Sequence, residues 1–345
     1  RSNIRSFRFT TFLLSLMESV FVSPRYRSPD TTGSMEFART RIVIVGSINM
    51  DLVARCQRMP RSGETIHATD YSTLPGGKGA NQAVAAARLG ADCSLIGRVG
   101  DDSYGENLVN TLADYGVRSE AISRTEATSS GLAWIHVDAN GDNAITIVAG
   151  ANANLSSKDV LKHRSTIQSA DVLVAQLEVP LETVAAAIQT AKAAGVLTIL
   201  DPAPAPNITM PDELYGVDVM TPNQIEAETL TGISVKNVES AVRACQRLQE
   251  RGVRRPVVTL GADGAVFLDE TTEVPRHTLP PRVETIDTTA AGDAFAAAVA
   301  CRLAAGRTLA AAVSFACTAG ALATNTLGAQ NAMPNWEDVV ALEKI

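Results

Sequence analysis

From Arg41 onward the chain alternates short apolar, β-branched runs with helical stretches of about 10–15 residues, and few architectures tolerate that rhythm. Arg41–Gly46 (RIVIVG) reads as a buried strand ending in glycine. Ala80–Leu89 has high helix propensity and stops at Gly90, where a helix end favours glycine. Cys93–Val99 then reads as a strand, Tyr104–Tyr115 as a helix closed by Gly116, and Val172–Ala175 as a strand. Leu181–Ala194 is helical up to Gly195 and is followed by the strand Val196–Leu200. Val217–Met220 and Pro256–Leu260 read as further strands, with helices over 223–231 and 238–250 between them. Beyond Asp287 the chain turns helical, in Ala291–Ala304, Leu309–Ala323 and Trp336–Leu342. Parallel strands need a crossover connection, so this order predicts an α/β fold with a central, mostly parallel sheet flanked by helices on both faces.

Two stretches break the rhythm, at about 52–75 and 131–148. Leu132–Val137 and Ala144–Val148 alternate apolar and polar residues around a turn at Gly141-Asp142. They read as antiparallel strands inserted among βα units, which predicts a small antiparallel β lid. There is no internal repeat, low-complexity tract or interdomain linker, so 41–345 reads as a single domain carrying the lid.

Composition narrows the function. Hydrophobic residues make up 46% and charged residues 19%, enough apolar material for a large core. A net charge of −7 argues against nucleic acid as a partner, because phosphate neutralisation needs a basic surface. The five cysteines, Cys56, Cys93, Cys245, Cys301 and Cys317, are scattered and contain no Cys-x-x-Cys pair. That predicts a reduced, cytoplasmic setting, and the four histidines lack metal-ligand spacing, so zinc chemistry is excluded. Residues 1–40 differ from the rest, with five arginines in the first 27 positions, many serines and a short apolar run from Thr11 to Met17. They read as a disordered segment, either an upstream extension ahead of Met35 or an organelle-targeting sequence over 1–34. The run is shorter than the about 20 apolar residues a bilayer requires, and no other segment qualifies.

Five segments carry chemistry. Gly46-Ser-Ile-Asn-Met-Asp51 follows the first strand, where open α/β sheets bind ligands. Asn49 and Asp51 there suit a polyhydroxylated ligand, although such a pair after a strand is more often an Asx turn. Gly76-Gly-Lys-Gly-Ala-Asn81 opens a helix; its glycines admit close backbone approach, and free N–H groups at the helix start favour oxygen-rich ligands. It matches neither the Walker A spacing nor the dinucleotide fingerprint, and both a binding loop around Lys78 and Asn81 and a plain turn stay open. In Asp287-Thr-Thr-Ala-Ala-Gly-Asp293 the small residues Ala290, Ala291 and Gly292 precede a helix beginning near Asp293. Their N–H groups would form an anion hole for a phosphoryl group, and Asp293 would accept a hydroxyl proton. A simple Asp N-cap is the competing explanation. Asn223 and Glu226 in Thr221-Pro-Asn-Gln-Ile-Glu226 share a helix face and could hold hydrated Mg²⁺, although capping explains Asn223 as well. Thr259 and Gly261 in Thr259-Leu-Gly-Ala-Asp-Gly264 could line a nucleotide cleft or belong to a hairpin turn at Asp263-Gly264.

Together these segments resemble the ribokinase branch of the PfkB carbohydrate kinase family, from about Arg41 to the C-terminus. Asp287–Asp293 continuing into Ala294-Phe295 is similar to that family's C-terminal signature, and Gly76–Gly90 to its N-terminal one. Asp101-Asp102, Ala149–Asn152, Gln176-Leu-Glu178 and Gly328-Ala-Gln330 complete the set typical of the branch. The resemblance implies ATP-dependent phosphorylation of D-ribose at O5, with Asp293 as base and Ala290, Ala291 and Gly292 as the anion hole. It implies sugar contacts from Asn49, Asp51, Gly77, Lys78, Gly79, Asn81 and Glu178. It assigns the nucleotide to Asn223, Thr259, Gly261, Ala262, Gly264 and Gly292, and water-mediated Mg²⁺ to Glu226. It also implies an activating K⁺ at Asp287, Thr289, Ala323, Thr326, Gly328 and Ala332, and a homodimer formed through the lid. The alternatives are a kinase of 2-deoxyribose, another sugar or a nucleoside, and a non-catalytic sugar-binding regulator. Three positions depart from the family pattern: Ala296-Ala297 where Asn-Gly is common, Ala332 where some relatives place serine, and Asp201 where Asn is also seen. None of them removes an expected catalytic group, and Asp201 carries no predicted role.

Overall fold

Ile42, Val43, Ile44 and Val45 are each at most 2% exposed because strand β1 (Arg41–Val45) runs through the middle of a large sheet. Side chains on a strand alternate between faces, so Ile42 and Ile44 join one apolar core while Val43 and Val45 join another on the opposite side. The computed structural model describes residues 40–206, 208–269 and 274–343; the segment read as an extension or targeting sequence lies outside them, apart from Thr40.

After β1 come β2 (Asn49–Cys56), β3 (Ala68–Gly76), α1 (Lys78–Arg88), β4 (Asp92–Gly100), α2 (Ser103–Asp114) and β5 (Ile122–Thr125). They are followed by β6 (Gly131–Val137), β7 (Asn143–Val148), α3 (Ser157–Lys162), α4 (Arg164–Ser169), β8 (Val172–Ala175) and α5 (Leu181–Ala193). Next are β9 (Leu197–Leu200), β10 (Val219–Met220), α6 (Gln224–Thr231), α7 (Val238–Glu250), β11 (Arg255–Thr259), β12 (Ala265–Phe267) and β13 (Arg276–Thr278). The chain closes with α8 (Ala291–Ala304), α9 (Leu309–Ala323) and α10 (Trp336–Glu343).

Nine strands form the main sheet in the order β13-β12-β11-β10-β9-β8-β1-β4-β5. All pairs from β11 to β5 are parallel, and β12 and β13 extend the edge antiparallel. Helices α1, α2, α8 and α9 cover one face, and α5, α6 and α7 the other. The expected α/β sheet covered on both sides is therefore present.

The other four strands form a small sheet in the order β3-β2-β6-β7. Its outer pairs, β2 with β3 and β6 with β7, are antiparallel as expected, while the middle pair β2 with β6 is parallel. The reason is topological: β2 and β6 belong to two separate excursions, each leaving the same edge of the main sheet and running outward in the same direction. Tyr71, Trp134, Ile145, Ile147 and Val148 stand exposed on this small sheet. All five cysteines are buried and free. Among the described residues no helix is long and apolar enough to cross a membrane, and no group of three or more His, Cys, Asp or Glu could hold a metal.

Candidate active site

Most of the chemistry-bearing segments converge because they follow strands of the main sheet on the same edge. Gly46–Ile48 leaves β1, Gln176–Glu178 leaves β8, Asp201 leaves β9, Thr221–Asn223 leaves β10, and Leu260–Gly264 leaves β11. In parallel sheets this carboxyl edge is where the chain has room to build a cleft.

Helices α1 and α8 aim their N-termini into it. Gly77 caps α1 with φ +89°, a left-handed conformation, and a Cβ there would lie 2.6 Å from the backbone N of Asn49. Glycine is thus required both for the turn and for the close approach of α1 to the start of β2. Helix α8 begins at Ala291, as its apolar pattern predicts, so Asp293 sits inside the first turn and the N-cap explanation for it does not hold. The cap is Ala290, held at φ +61°, a conformation costly for a residue with a Cβ. The Ala291 N–H reaches Thr288 O at a long 3.3 Å.

Asp293 is 4% exposed and gripped at both oxygens. Asn81 Nδ2 donates to Oδ2 at 2.9 Å, and Gln82 Nε2 donates to Oδ1 at 3.2 Å. The same Gln82 nitrogen donates to Asp201 Oδ2 at 2.8 Å, and Gln176 Nε2 donates to Gln82 Oε1 at 2.5 Å. Asp201 therefore has a place in the site that the sequence did not assign it. Asn81 Oδ1 is buried and has no partner, although Asn81 is only 6% exposed. A buried acceptor left without a partner is costly, and a hydroxyl or a water brought against it would satisfy it.

On the other wall Asn49, 3% exposed, starts β2 beside Asp51. Asn152 accepts from the Ile48 N–H at 2.9 Å and donates through Nδ2 to Asn49 Oδ1 at 2.7 Å. Asn49 is left presenting its Nδ2 as a donor. Glu178 Oε2 accepts from Ser47 Oγ at 2.5 Å and from the Lys78 N–H at 3.4 Å, which ties it to the start of α1.

One cation faces many carboxylates here. Burial alone would lower the Lys78 pKa, but Asp293, Asp201, Glu178 and Glu226 outweigh it and hold the ammonium firmly charged. Burial, with Glu178 and Asp293 adding repulsion, pushes Asp51 up to about 7. Burial likewise drives Asp201 well above the usual carboxylate range against the pull of Lys78. Glu226 is raised by burial, against the hydrogen bond from the Asn223 backbone.

Asn223 and Glu226 form a reciprocal capping box on α6: Glu226 N–H donates to Asn223 Oδ1 at 2.9 Å and Asn223 N–H to Glu226 Oε2 at 2.8 Å. The capping explanation thus holds for Asn223, which keeps its Nδ2 for other contacts. Thr259 N–H donates to Pro222 O at 3.0 Å, joining this segment to the next. Gly261 and Ala262 are exposed. Gly264 is buried at φ +80°, and a Cβ there would sit 1.9 Å from Thr278 O. Its glycine is demanded by the β11–β12 hairpin, so the hairpin explanation accounts for this position.

Of the residues expected at the cation site, Asp287, Thr289 and Gly328 are joined by hydrogen bonds. The Ile286 and Asp287 N–H groups donate to Thr324 O, and the Asp287 carboxylate accepts from Thr289 N–H and Gly328 N–H, each at 2.9 Å. These hydrogen bonds and the charge of Arg55 overcome burial and hold Asp287 below the usual range. Ala323 ends α9 just before this loop, Thr326 is exposed within it, and Ala332 lies in the following turn.

Gln82, Gln176, Asn152 and Ser47 complete the site without having been assigned a part in it. The one sequence signal was polarity out of place, such as Gln82 inside the alanine-rich α1.

Comparison with known proteins fits this geometry. The family model described as pfkB family carbohydrate kinase matches residues 39–336. Ribokinase of Mus musculus is 41% identical over 263 residues, 76% of this chain and 81% of its own length. A deoxyribokinase of Salmonella typhi is 38% identical over 254 residues, 74% of this chain and 82% of its own. The solved structure of Arabidopsis thaliana ribokinase complexed with ribose and ATP superposes with a TM-score of 0.81 at 32% identity, covering 89% of this chain and 99% of that one. The chain belongs to the pfkB family of carbohydrate kinases.

Proposed function

We propose that this protein phosphorylates D-ribose at O5, taking the γ-phosphoryl group of MgATP and releasing ADP. The observation that carries the reading is Asp293: a buried carboxylate held at both oxygens, in the first turn of a helix that opens at the small residues Ala290, Ala291 and Gly292. Asp293 removes the proton from the ribose O5 hydroxyl as O5 attacks the γ-phosphorus. The new O–P bond forms while the bond to the departing ADP oxygen breaks, and the proton ends on Asp293. Backbone N–H groups of Ala290–Gly292 and the positive end of α8 stabilise the charge gathered on the phosphoryl oxygens.

Asn49 donates to and Asp51 accepts from the sugar hydroxyls, and the orphaned Asn81 Oδ1 accepts another. Gly77, Lys78, Gly79 and Glu178 complete the sugar wall. Asn223 Nδ2, Thr259, Gly261 and Ala262 line the nucleotide side, with Gly264 shaping the hairpin from beneath. Glu226, with one oxygen bound to the Asn223 N–H, fits a water-mediated hold on Mg²⁺, which neutralises phosphate charge when bound. Asp287, Thr289 and the carbonyls of Ala323, Thr326, Gly328 and Ala332 offer a hard-oxygen setting suited to K⁺, which would strengthen the field at the anion hole. The small sheet acts as a lid, and its exposed Tyr71, Trp134, Ile145 and Ile147 suit pairing with a second copy. Five buried free thiols agree with a cytoplasmic enzyme.

A second reading, 2-deoxyribose as substrate, is favoured by the deoxyribokinase relative. ADP release with ribose, 2-deoxyribose, fructose and adenosine, with and without K⁺, separates the two. Ribose preferred by at least about tenfold supports the proposal, because a buried site built to hydrogen-bond a hydroxyl rejects its absence. Preference for deoxyribose would move the substrate, and no turnover of any sugar would overturn the kinase reading.

A further inference from the structure

Asn81 and Gln82 are consecutive on α1, yet both reach Asp293, one at each oxygen. Gln82 also bridges to a second carboxylate, Asp201, through the same nitrogen. An amide donates from one end only, so with two carboxylates before it Gln82 must turn Nε2 toward them and Oε1 away. Gln176 secures that orientation by donating to Oε1, and both glutamines are completely buried. Room for Gln176 comes from Gly46, where a Cβ would lie 1.9 Å from Gln176 Oε1. That oxygen has no hydrogen-bond partner, a cost the fold accepts to keep the other end of the amide on Gln82. Four segments far apart in sequence thus meet in one chain of hydrogen bonds that ends on the base.

We propose that Gln82, locked by Gln176, is a positioning residue: it fixes the plane of the Asp293 carboxylate so that a lone pair faces the sugar hydroxyl. The inference rests on Asp293 acting as the base of a sugar kinase. Donated hydrogen bonds favour the charged form of a carboxylate, and burial favours the proton on neighbouring Asp201. The other charged groups around Asp293 are Lys78 on α1, Asp51 on β2 and Glu226 on α6. None of them can hold the orientation of a carboxylate as an amide bonded on both sides does.

The test compares the full-length wild type with Gln82→Met and Gln176→Leu, measuring kcat and KM for ribose and MgATP between pH 5 and 9. Gln82→Met keeps length and bulk but donates nothing. It is expected to lower kcat about 10- to 100-fold, the worth of a hydrogen bond to a charged group, with sugar KM changed less than about threefold. The acid limb of the kcat profile moves to higher pH by about one unit, since the charged base has lost a donor. Gln176→Leu leaves Gln82 in place without its lock and shifts the same two readouts in the same direction, by less. A packing role would lower thermal stability in both variants and leave the acid limb where it was; that result overturns the proposal. Should Gln82→Met fail to fold, Gln176→Leu decides by the same criterion. A wild type that phosphorylates no sugar removes the kinase reading and this inference with it. Turnover by the wild type with an unmoved limb in the variants removes the inference alone.

Discussion

Replacing Asp51 by Asn should make the ligand-free protein more stable while crippling sugar capture. Asp51 sits opposite Glu178 and Asp293 in a half-buried wall, and burial with their repulsion lifts its pKa from an ordinary 3.8 to about 7. Unfolded, the group ionises near its ordinary value; folded, it keeps its proton until about 7. The unfolded state therefore binds fewer protons across that window, and wild-type stability falls as pH climbs through it, then levels off. The gap of about 3 pH units corresponds to at most about 4 kcal/mol at pH 8. Partial exposure and relaxation bring a realistic gain for Asp51→Asn to about 2–4 kcal/mol, a melting-temperature rise of roughly 3–6 °C for a chain of this size. At pH 4, where the carboxyl is largely neutral, the two proteins should melt nearly together. In the proposed binding mode ribose hydroxyls donate to the ionised carboxylate, so added ribose should raise the melting temperature of the wild type at pH 8 and scarcely move the variant. Scanning calorimetry of both proteins from pH 4 to 8, with and without ribose, reads all of this. A variant less stable than wild type at pH 8, or one stabilised by ribose equally well, would refute the reasoning.

Two further outcomes follow from the same contacts. Asn152→Ala removes the acceptor of the Ile48 N–H and the donor that orients Asn49; sugar KM should rise about 5- to 50-fold with kcat within about threefold, since buried unpaired groups cost about 1–3 kcal/mol. An unchanged KM would show that Asn49 needs no such brace. Gly264→Ala forces a Cβ against Thr278 O in a left-handed conformation, so chemical denaturation should show a loss of about 2–4 kcal/mol, and a loss below about 0.5 kcal/mol would mean the edge hairpin gives way freely.

Much of this arrangement was legible before any coordinates, for identifiable reasons. Helices α5, α7, α8 and α9 and strand β8 lie where propensity and glycine stops put them, because each is long or strongly apolar. Strands β12 and β13 escaped notice: three residues each on a sheet edge leave no period to read. The short α3 and α4 are rich in Ser and charged residues and carry little apolar pattern. The parallel middle pair of the small sheet was invisible because pairing between separate excursions leaves no local mark. For the site, the local motifs located Asn81 and Asp293, but not that one holds the other across 212 positions. Asn81, expected at the sugar, donates to the Asp293 carboxylate, a contact no local motif marks. Gln176 and Gln82 are 94 residues apart, and their amide pairing exists only once β8 and α1 are packed. Asp201 looked like a neutral departure from a family pattern; only burial beside Lys78 and Gln82 gives it a part.

The most direct test of the reading is Asp293→Asn assayed with ribose and MgATP alongside ribose binding by calorimetry. The substitution preserves shape and removes the proton acceptor. Loss of kcat by about a hundredfold or more, with ribose affinity kept within about tenfold, is the predicted result. Near-normal turnover in that variant would show that some other group takes the proton, and that the pinned carboxylate at the start of α8 is only structural.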